Sequence, residues 1–202
     1  MTGPRNAPLV IAIDGPVGSG KSTVAQAVAR RLGLEVLETG AMYRAVAAAA
    51  LAAGILPGAA SEAELARIAD DGRFDRWGPS ELRTTAVNRS VSAVAAQPAV
   101  RAALVAHQRA WAAARGGAVV EGRDIGTVVF PDAPVKVFLT ASLEERARRR
   151  GADEGPADLA RRDHLDSTRA DSPLVAASDA HVIDSTGRSV EDIVDEIVGL
   201  VP

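Results

Sequence analysis

The chain has 202 residues, a length that predicts one domain or one domain with small insertions. Hydrophobic residues make up 47% and charged residues 24% of it, which is typical of a globular protein and excludes widespread disorder. The sequence has no cysteine, which excludes disulfide scaffolds, thiolate metal sites and cysteine nucleophiles. A formal net charge of −3 does not favour a general binder of nucleic acid.

No segment of the sequence predicts export or membrane insertion. The apolar run that follows the first eight residues covers only residues 9–13, which is too short for a signal peptide. The longest apolar stretch, residues 45–53, is far below the roughly 20 residues that span a bilayer. Because no sustained apolar stripe is evident either, we expect a cytoplasmic monomer without membrane or nucleic-acid partners.

Five short runs rich in Val, Ile and Leu predict strands that are buried on both faces. They cover residues 9–14, 35–38, 118–121, 135–140 and 181–184. Helical patterns cover residues 22–32, 42–53, 62–69, 87–96, 99–114, 143–150 and 190–200. This alternation predicts an α/β fold with a five-stranded parallel sheet flanked by helices. Residues 70–84 predict a small excursion from the sheet, and residues 151–160 predict a short acidic loop.

The strongest motif is GPVGSGKS at residues 15–22, which satisfies G-x-x-x-x-G-K-[ST] between a predicted strand and a predicted helix. Its glycines let backbone N–H groups converge on phosphate oxygens, and the helix N-terminus adds a favourable dipole. Lys21 would bridge the β- and γ-phosphates of ATP. The predicted ATP contacts are Gly15, Pro16, Val17, Gly18, Ser19, Gly20, Lys21, Ser22 and Thr23.

Other features narrow the class of P-loop protein. A regulatory GTPase reads guanine through N-K-x-D, but asparagine occurs only at positions 6 and 88, and lysine follows neither. A small kinase fits the length, and it needs arginines to bind an anionic second substrate. Arginines do cluster beyond the loop, although the run at residues 146–150 fits a solvated helix end equally well.

Several segments together resemble bacterial cytidylate kinases. They are IAIDGP at 11–16 leading into the P-loop, TGAMYR at 39–44, SVSAVAAQPAVR at 90–101, EGRDIGTVVFPDAPVKV at 121–137 and RRDHLDSTRADSPL at 161–174. The similarity runs from about residue 9 to residue 198, and the GRDIGTVVFPDAPVK block is specific to that family. The resemblance implies the P-loop NTPase fold, with an insertion that binds the nucleoside monophosphate (NMP) and a mobile lid. It also implies transfer of a phosphoryl group from ATP to CMP or dCMP.

The resemblance also assigns roles to individual side chains. The residues that would read the cytosine edge are Ser92, Arg101 and Asp124. Those that would hold the CMP phosphate are Arg44, Arg123 and Arg169, and Arg162 and Asp166 would lie near the ribose and the transferring phosphoryl group. Thr39 keeps a hydroxyl where many relatives have serine.

Phosphoryl transfer requires positioning and charge neutralisation rather than covalent catalysis, so we predict direct in-line transfer without a protein nucleophile. The predicted catalytic set is Lys21, Arg123, Arg162, Asp166 and Arg169. Ser22 is the predicted protein contact of Mg²⁺. Asp14 and Glu121 are both open candidates for its water shell.

The predicted core covers residues 9–56, 97–150 and 170–202, with a short NMP-binding insertion at about 57–96 and a short lid at about 151–169. Both look trimmed relative to the family, which leaves the choice between ribose and deoxyribose open. Leu165 stands where many relatives have arginine. Two alternatives remain: a P-loop kinase for another small acceptor, and a non-catalytic ATP-binding protein.

Overall fold

The structure is a computed structural model that describes residues 8–56, 61–151, 155–169 and 171–202. Residues 1–7, 57–60, 152–154 and 170, which include parts of the predicted insertion and lid, lie outside the described residues. The described chain forms two compact units. The first runs to Leu37 and resumes at Ala110, and the second is Glu38–Arg109. The predicted bounds of core, insertion and lid remain predictions.

A five-stranded sheet forms the centre of the first unit and confirms the predicted fold class. Its strands are β1 (Leu9–Asp14), β2 (Val36–Glu38), β3 (Gly117–Gly122), β4 (Val135–Thr140) and β5 (His181–Asp184), in the spatial order β2-β3-β1-β4-β5. β1 pairs in parallel with β3 and β4, and β4 pairs in parallel with β5. Asp14 is in register with Gly122 and Phe138, so the carboxyl ends of the three central strands meet at one edge.

The described residues contain eight α-helices. They are α1 (Lys21–Leu32), α2 (Thr39–Ala52), α3 (Glu62–Asp70), α4 (Thr85–Ala95), α5 (Pro98–Ala114), α6 (Leu143–Arg150), α7 (Pro156–Ser167) and α8 (Val190–Val198). None of them combines the length and the apolar character that a membrane span requires.

The core of the first unit joins the sheet to α1 and α8. Val24 and Val28 of α1 lie in one cluster with Ile11 of β1, Val137 of β4 and Ile193 of α8, and all five side chains are at most 2% exposed. The four-residue spacing on α1 places its apolar side chains on one face of the helix. This packing fixes α1 against the end of β1, where the glycine-rich loop connects the two elements.

Capping serines fix the starts of two further helices in this unit. The hydroxyl of Ser142 accepts a hydrogen bond from the Glu145 N–H at the start of α6. Ser189 does the same for the Asp192 N–H at the start of α8. In both helices acidic residues follow the serine in the first turn, where negative charge is favourable.

The prediction of a loop over residues 151–160 is wrong from Pro156 onward, where α7 begins. Proline in the first turn costs nothing, because its missing N–H would be unpaired there in any case. Asp158 adds a favourable charge to the same turn, and Leu159 is fully buried. Gly155 and Pro156 are therefore the start of a helix. This matters for function, because α7 carries Arg162 and Asp166.

The second unit contains α2, α3, α4 and most of α5. α2 begins at Thr39, three residues before its predicted start, and Ala45, Ala47 and Ala48 on it are buried. α3 begins with a capping box in which Ser61 and Glu64 exchange hydrogen bonds. The polar stretch 70–84, predicted as an excursion from the sheet, contains two short 3₁₀-helices at Phe74–Arg76 and Glu81–Arg83.

Candidate active site

The glycine-rich loop lies where the sequence predicts it, between the end of β1 and the start of α1. Gly15 has φ of 147°, and a Cβ at this position would lie 2.0 Å from the carbonyl oxygen of Leu139. Because β4 pairs directly with β1, the chain leaves the sheet against the β4 backbone at this residue. Only glycine fits such an approach.

Lys21 is the buried cation of the loop. It is 6% exposed, and its Nζ donates a hydrogen bond of 2.7 Å to the carbonyl of Pro16. Burial, followed by the positive charge of Arg123, lowers the pKa of Lys21 from 10.5 to about 7. A buried ammonium held by a neutral carbonyl is suited to receive an anion, since a bound polyphosphate would favour its charged form.

Ser22 and Glu121 form a pair of oxygen donors beside the loop. Ser22 Oγ donates a hydrogen bond of 2.9 Å to Glu121 Oε1. Glu121 lies in β3 and is buried, whereas Ser22 and the following Thr23 are exposed in the first turn of α1. Mg²⁺ prefers hydroxyl and carboxylate oxygens, so this pair fits the ion that phosphoryl transfer requires.

Asp14, one of the two open candidates for the magnesium water shell, binds backbone N–H groups of the segment after β3. Its Oδ1 accepts from the Ile125 N–H and its Oδ2 accepts from the Gly126 N–H, each at 2.8 Å. Burial raises the pKa of this carboxyl from 3.8 to about 6, although the two backbone hydrogen bonds oppose the rise. Both oxygens are thus engaged in fixing the segment after β3. The other candidate for the magnesium water shell, Glu121, contacts Ser22 instead.

Asp166 on α7 gathers two of the predicted phosphate-binding arginines. Its Oδ2 accepts a hydrogen bond of 3.0 Å from Arg123 Nε, and its Oδ1 accepts from Arg169. Asp166 is 5% exposed, so its charge is compensated by the two guanidinium groups. One carboxylate therefore holds two cations side by side in the first unit. An anionic phosphoryl group could bind to such a cluster through guanidinium N–H groups.

Asp124 and Arg162 extend this group of residues. Asp124 is 5% exposed and directly follows Arg123, at the start of a π-helix that covers Ile125–Val129. π-Helical turns are rare and occur often at functional sites. Arg162 lies one turn before Asp166 on α7, so the two residues share a face of that helix.

Three of the four predicted nucleoside-binding residues of the second unit, Thr39, Arg44 and Arg101, lie in the first two turns of their helices. Thr39 is the buried first residue of α2. The side chain of Arg44 folds back over Gly40, so that a methyl carbon added to this glycine would lie 3.2 Å from Arg44 Nη1. Arg101 of α5 lies over the ring of Tyr43, with its Cζ 5.6 Å from the ring centroid, and its Nη1 donates to the Ala95 carbonyl. The start of α2 and the first turns of α5 therefore meet. Ser92 lies on α4 and is half-buried.

The arginine run at the end of α6, for which the sequence left open a solvated helix end or binding of an anionic second substrate, contains residues in different surroundings. Arg148 has a side chain that is 73% exposed, as a solvated helix end would have. Arg146 is instead buried, and its Nη1 donates a hydrogen bond of 3.2 Å to the Val17 carbonyl of the loop. Its Nη2 forms an ion pair of 2.6 Å with Asp163 of α7. No periodicity in the run distinguishes these residues, so sequence reasoning missed the structural role of Arg146.

Leu165, which stands where many relatives have arginine, is 46% exposed on α7. It is therefore not a residue of the core. Within the described residues no group of three or more His, Asp or Glu side chains is arranged to hold a metal ion.

A parallel sheet with the order 2-3-1-4-5, a glycine-rich loop after the central strand and a lysine and serine at the start of the next helix define a P-loop kinase. The fold is shared with a solved gluconokinase from Sinorhizobium meliloti. That structure matches with a TM-score of 0.52 and 19% identity over 96% of this chain and 92% of the other. A model of the family described as cytidylate kinase matches residues 11–202.

Curated relatives agree with the family model. A cytidylate kinase from Mycobacterium leprae is 48% identical over 212 residues, which cover 96% of this chain and 95% of the relative. Another from Azorhizobium caulinodans is 49% identical over 195 residues, covering 91% and 93%. The chain belongs to the cytidylate kinase family.

Proposed function

We propose that the chain transfers the γ-phosphoryl group of ATP to CMP or dCMP, producing ADP and CDP or dCDP by direct in-line transfer. Membership of the cytidylate kinase family supports this activity. The observation that carries the chemistry is the cluster of Arg123, Asp166 and Arg169 in the same unit as the buried Lys21. Cations on both the donor and the acceptor side are what phosphoryl transfer needs most.

The donor side is formed by the glycine-rich loop. Its backbone N–H groups, which every residue from Gly15 to Ser22 except Pro16 has, bind the phosphates of ATP, and Lys21 neutralises charge that develops between the β- and γ-phosphates. Mg²⁺, when bound, neutralises and orients the phosphate oxygens. Ser22 would hold the ion, and Glu121, which accepts from the Ser22 hydroxyl, would lie in its water shell.

The acceptor phosphate is bound by the arginines. Arg123 and Arg169 hold it through guanidinium N–H groups. Asp166 keeps Arg123 and Arg169 in place, and Arg162 neutralises the transferring phosphoryl group. No side chain acts as a nucleophile, because the CMP phosphate oxygen attacks the γ-phosphorus itself.

The base is selected by polar side chains that match the edge of cytosine. A carboxylate accepts from the exocyclic amine, which uracil lacks, and Asp124 has this role. Arg101 and Ser92 complete the contact to the ring, and Thr39 binds through its hydroxyl. The stacking of Arg101 on Tyr43 holds its guanidinium in a fixed plane.

The proposal is tested by measuring ADP production with ATP and Mg²⁺, offering CMP, dCMP, UMP, AMP and GMP separately, beside a reaction without acceptor. We expect high rates with CMP and dCMP only, and their ratio measures the choice of sugar. Activity with a different acceptor alone would leave a P-loop kinase but refute the cytosine specificity. An equal rate with and without acceptors would identify an ATPase, and ATP binding without any turnover would identify a non-catalytic protein.

Asp124→Ala should raise the KM for CMP about tenfold and reduce the preference for CMP over UMP, because one base contact is removed. The KM for ATP should not change. A matched control is Asp132→Ala, which removes an exposed carboxylate eight residues further along the chain. The assignment is refuted if the two variants discriminate between CMP and UMP as the unmodified protein does.

We further propose that the enzyme acts as a cytoplasmic monomer on small-molecule substrates alone. The absence of a membrane-spanning helix among the described residues is compatible with this proposal. Light scattering coupled to size-exclusion chromatography should give a mass near 20.8 kDa.

A further inference from the structure

The outer side of the glycine-rich loop is held by two residues that the proposed chemistry does not use. Arg149 Nη1 donates hydrogen bonds to the carbonyl oxygens of Ser19, at 3.1 Å, and Gly18, at 3.4 Å. The hydroxyl of Ser185 donates to the same Ser19 carbonyl at 2.9 Å. Arg149 is at the end of α6, and Ser185 follows β5, so two elements far away in sequence meet on one peptide unit.

Both residues are themselves fixed. Arg149 Nη1 donates to Ser185 Oγ at 2.9 Å, its Nη2 donates to the Ser185 carbonyl at 2.8 Å, and its Nε donates to Glu145 Oε1 at 2.8 Å. Ser185 is 1% exposed, and its hydroxyl also lies 2.9 Å from the Thr140 carbonyl at the end of β4. The guanidinium therefore has partners on all three nitrogens. It cannot change direction without breaking several hydrogen bonds at once.

The peptide that they hold, between Ser19 and Gly20, belongs to the loop whose N–H groups are proposed to bind phosphate. A peptide bond is planar, so the Ser19 carbonyl and the Gly20 N–H belong to one rigid unit and point in opposite directions. Fixing the carbonyl on the outer side thereby fixes the direction of the N–H on the phosphate side. A carbonyl that accepts from a cation is also polarised, which strengthens hydrogen bonding by the N–H of the same peptide.

We propose that Arg149 and Ser185 are positioning residues for ATP: they clamp the Ser19–Gly20 peptide so that its N–H is directed at the polyphosphate before ATP binds. The inference rests on the proposed function for its catalytic consequence, but not for its effect on nucleotide binding. Neither residue touches the reacting atoms. Their contribution is pre-organisation, which a flexible glycine-rich segment would otherwise lack.

The neighbouring Arg148 provides a matched control. It has the same charge, lies on the same helix and donates to the same carboxylate, with Nε 2.7 Å from Glu145 Oε2 and Nη2 2.7 Å from Oε1. Together with Arg149, it lowers the pKa of Glu145 to about 2 through these hydrogen bonds. In the described structure its hydrogen bonds go to Glu145 alone. Truncating it removes a surface charge and leaves the loop untouched.

The test compares Arg149→Ala, Ser185→Ala and Arg148→Ala in three measurements: the Kd of ADP by calorimetry without CMP, the KM values for ATP and CMP, and thermal unfolding. We expect Arg149→Ala and Ser185→Ala to raise the Kd of ADP and the KM for ATP about tenfold, with the KM for CMP within twofold of the unmodified protein. Arg148→Ala should leave all three constants within twofold.

A purely structural role would lower the unfolding temperature and leave the Kd of ADP unchanged, and that result would overturn the proposal. If Arg149→Ala fails to fold, Arg149→Lys replaces it. Lysine keeps the charge but cannot serve several acceptors in one plane, so we expect a several-fold weaker ADP affinity, and an unchanged affinity would again contradict the clamp. Failure of the unmodified protein to phosphorylate CMP would refute the proposed function separately, because ADP binding is measured without any acceptor.

Discussion

Replacing Lys21 with methionine should lower the turnover of CMP by about a hundredfold to a thousandfold and, at the same time, raise the unfolding temperature of the nucleotide-free protein. The first effect follows from the loss of a cation that stabilises charge in the transition state. The second follows from burial. Lys21 is 6% exposed and donates to a neutral carbonyl, and the nearby carboxylates of Glu121, Asp14 and Asp166 compensate its charge only in part, so in the absence of ATP this charge opposes folding.

The pH dependence of this stabilisation has a definite sign. Burial lowers the pKa of Lys21 to about 7 in the folded protein, against 10.5 without burial. Between these values the unfolded chain binds more protons than the folded one, so the unfolding free energy rises with pH. The stability gained by Lys21→Met should therefore be largest below pH 7 and shrink as the pH rises toward 10. Differential scanning fluorimetry across this range, without nucleotide, measures it.

The second lysine of the chain is a suitable control. Lys136 is also buried, but its Nζ donates to both carboxylate oxygens of Asp179, at 3.0 and 2.7 Å. Since its charge is already compensated, Lys136→Met should not stabilise the protein, and CMP turnover should stay within a few-fold. If both methionine variants gain the same stability, the incompletely compensated charge of Lys21 is not the cause.

Gly15→Ala should destabilise the folded protein by more than about 3 kcal/mol, or prevent folding altogether. Two costs add at this position. Its φ of 147° is a conformation that residues with a Cβ rarely adopt, and the new methyl group would overlap the Leu139 carbonyl oxygen at 2.0 Å. Because that oxygen belongs to the backbone of β4, it cannot move aside without distorting the sheet.

Gly33→Ala separates the two costs. Gly33 ends α1 with φ of 67°, and a Cβ built there meets no atom within 4 Å. This variant carries only the backbone penalty of about 1 kcal/mol. Urea unfolding of both variants gives the comparison. A similar loss of stability in the two would mean that the close approach of the loop to β4 is unimportant.

The sequence predicts best those features that depend on neighbouring residues. β1 and β4 have the predicted bounds, because continuous runs of branched apolar residues indicate buried parallel strands. The glycine-rich loop is equally local, since its eight residues contain the glycines, the lysine and the serine together. Fold class and phosphate-binding loop therefore follow from patterns of six to eight residues.

Features that depend on distant contacts could not be predicted in the same way. Asp14 binds the N–H groups of Ile125 and Gly126, 111 and 112 residues later, so the sequence could not distinguish this task from magnesium binding. Arg148 and Arg149 are adjacent in the sequence, but Arg148 is exposed, whereas Arg149 also donates to the glycine-rich loop. For Ser185 the sequence did contain one indication of a functional role: it directly follows a strand, at the edge where ligands bind in parallel sheets.

The strands at the two edges of the sheet have a consequence for aggregation. β2 has three residues and β5 has four, so each edge offers few backbone groups with which a further strand could pair. On β5 the first and last residues, His181 and Asp184, are exposed, and Val182 between them is 62% exposed. Short edges that carry polar residues are poor templates for intermolecular pairing. Fibril growth would therefore have to begin with the unfolding of an edge rather than with addition of a strand to it.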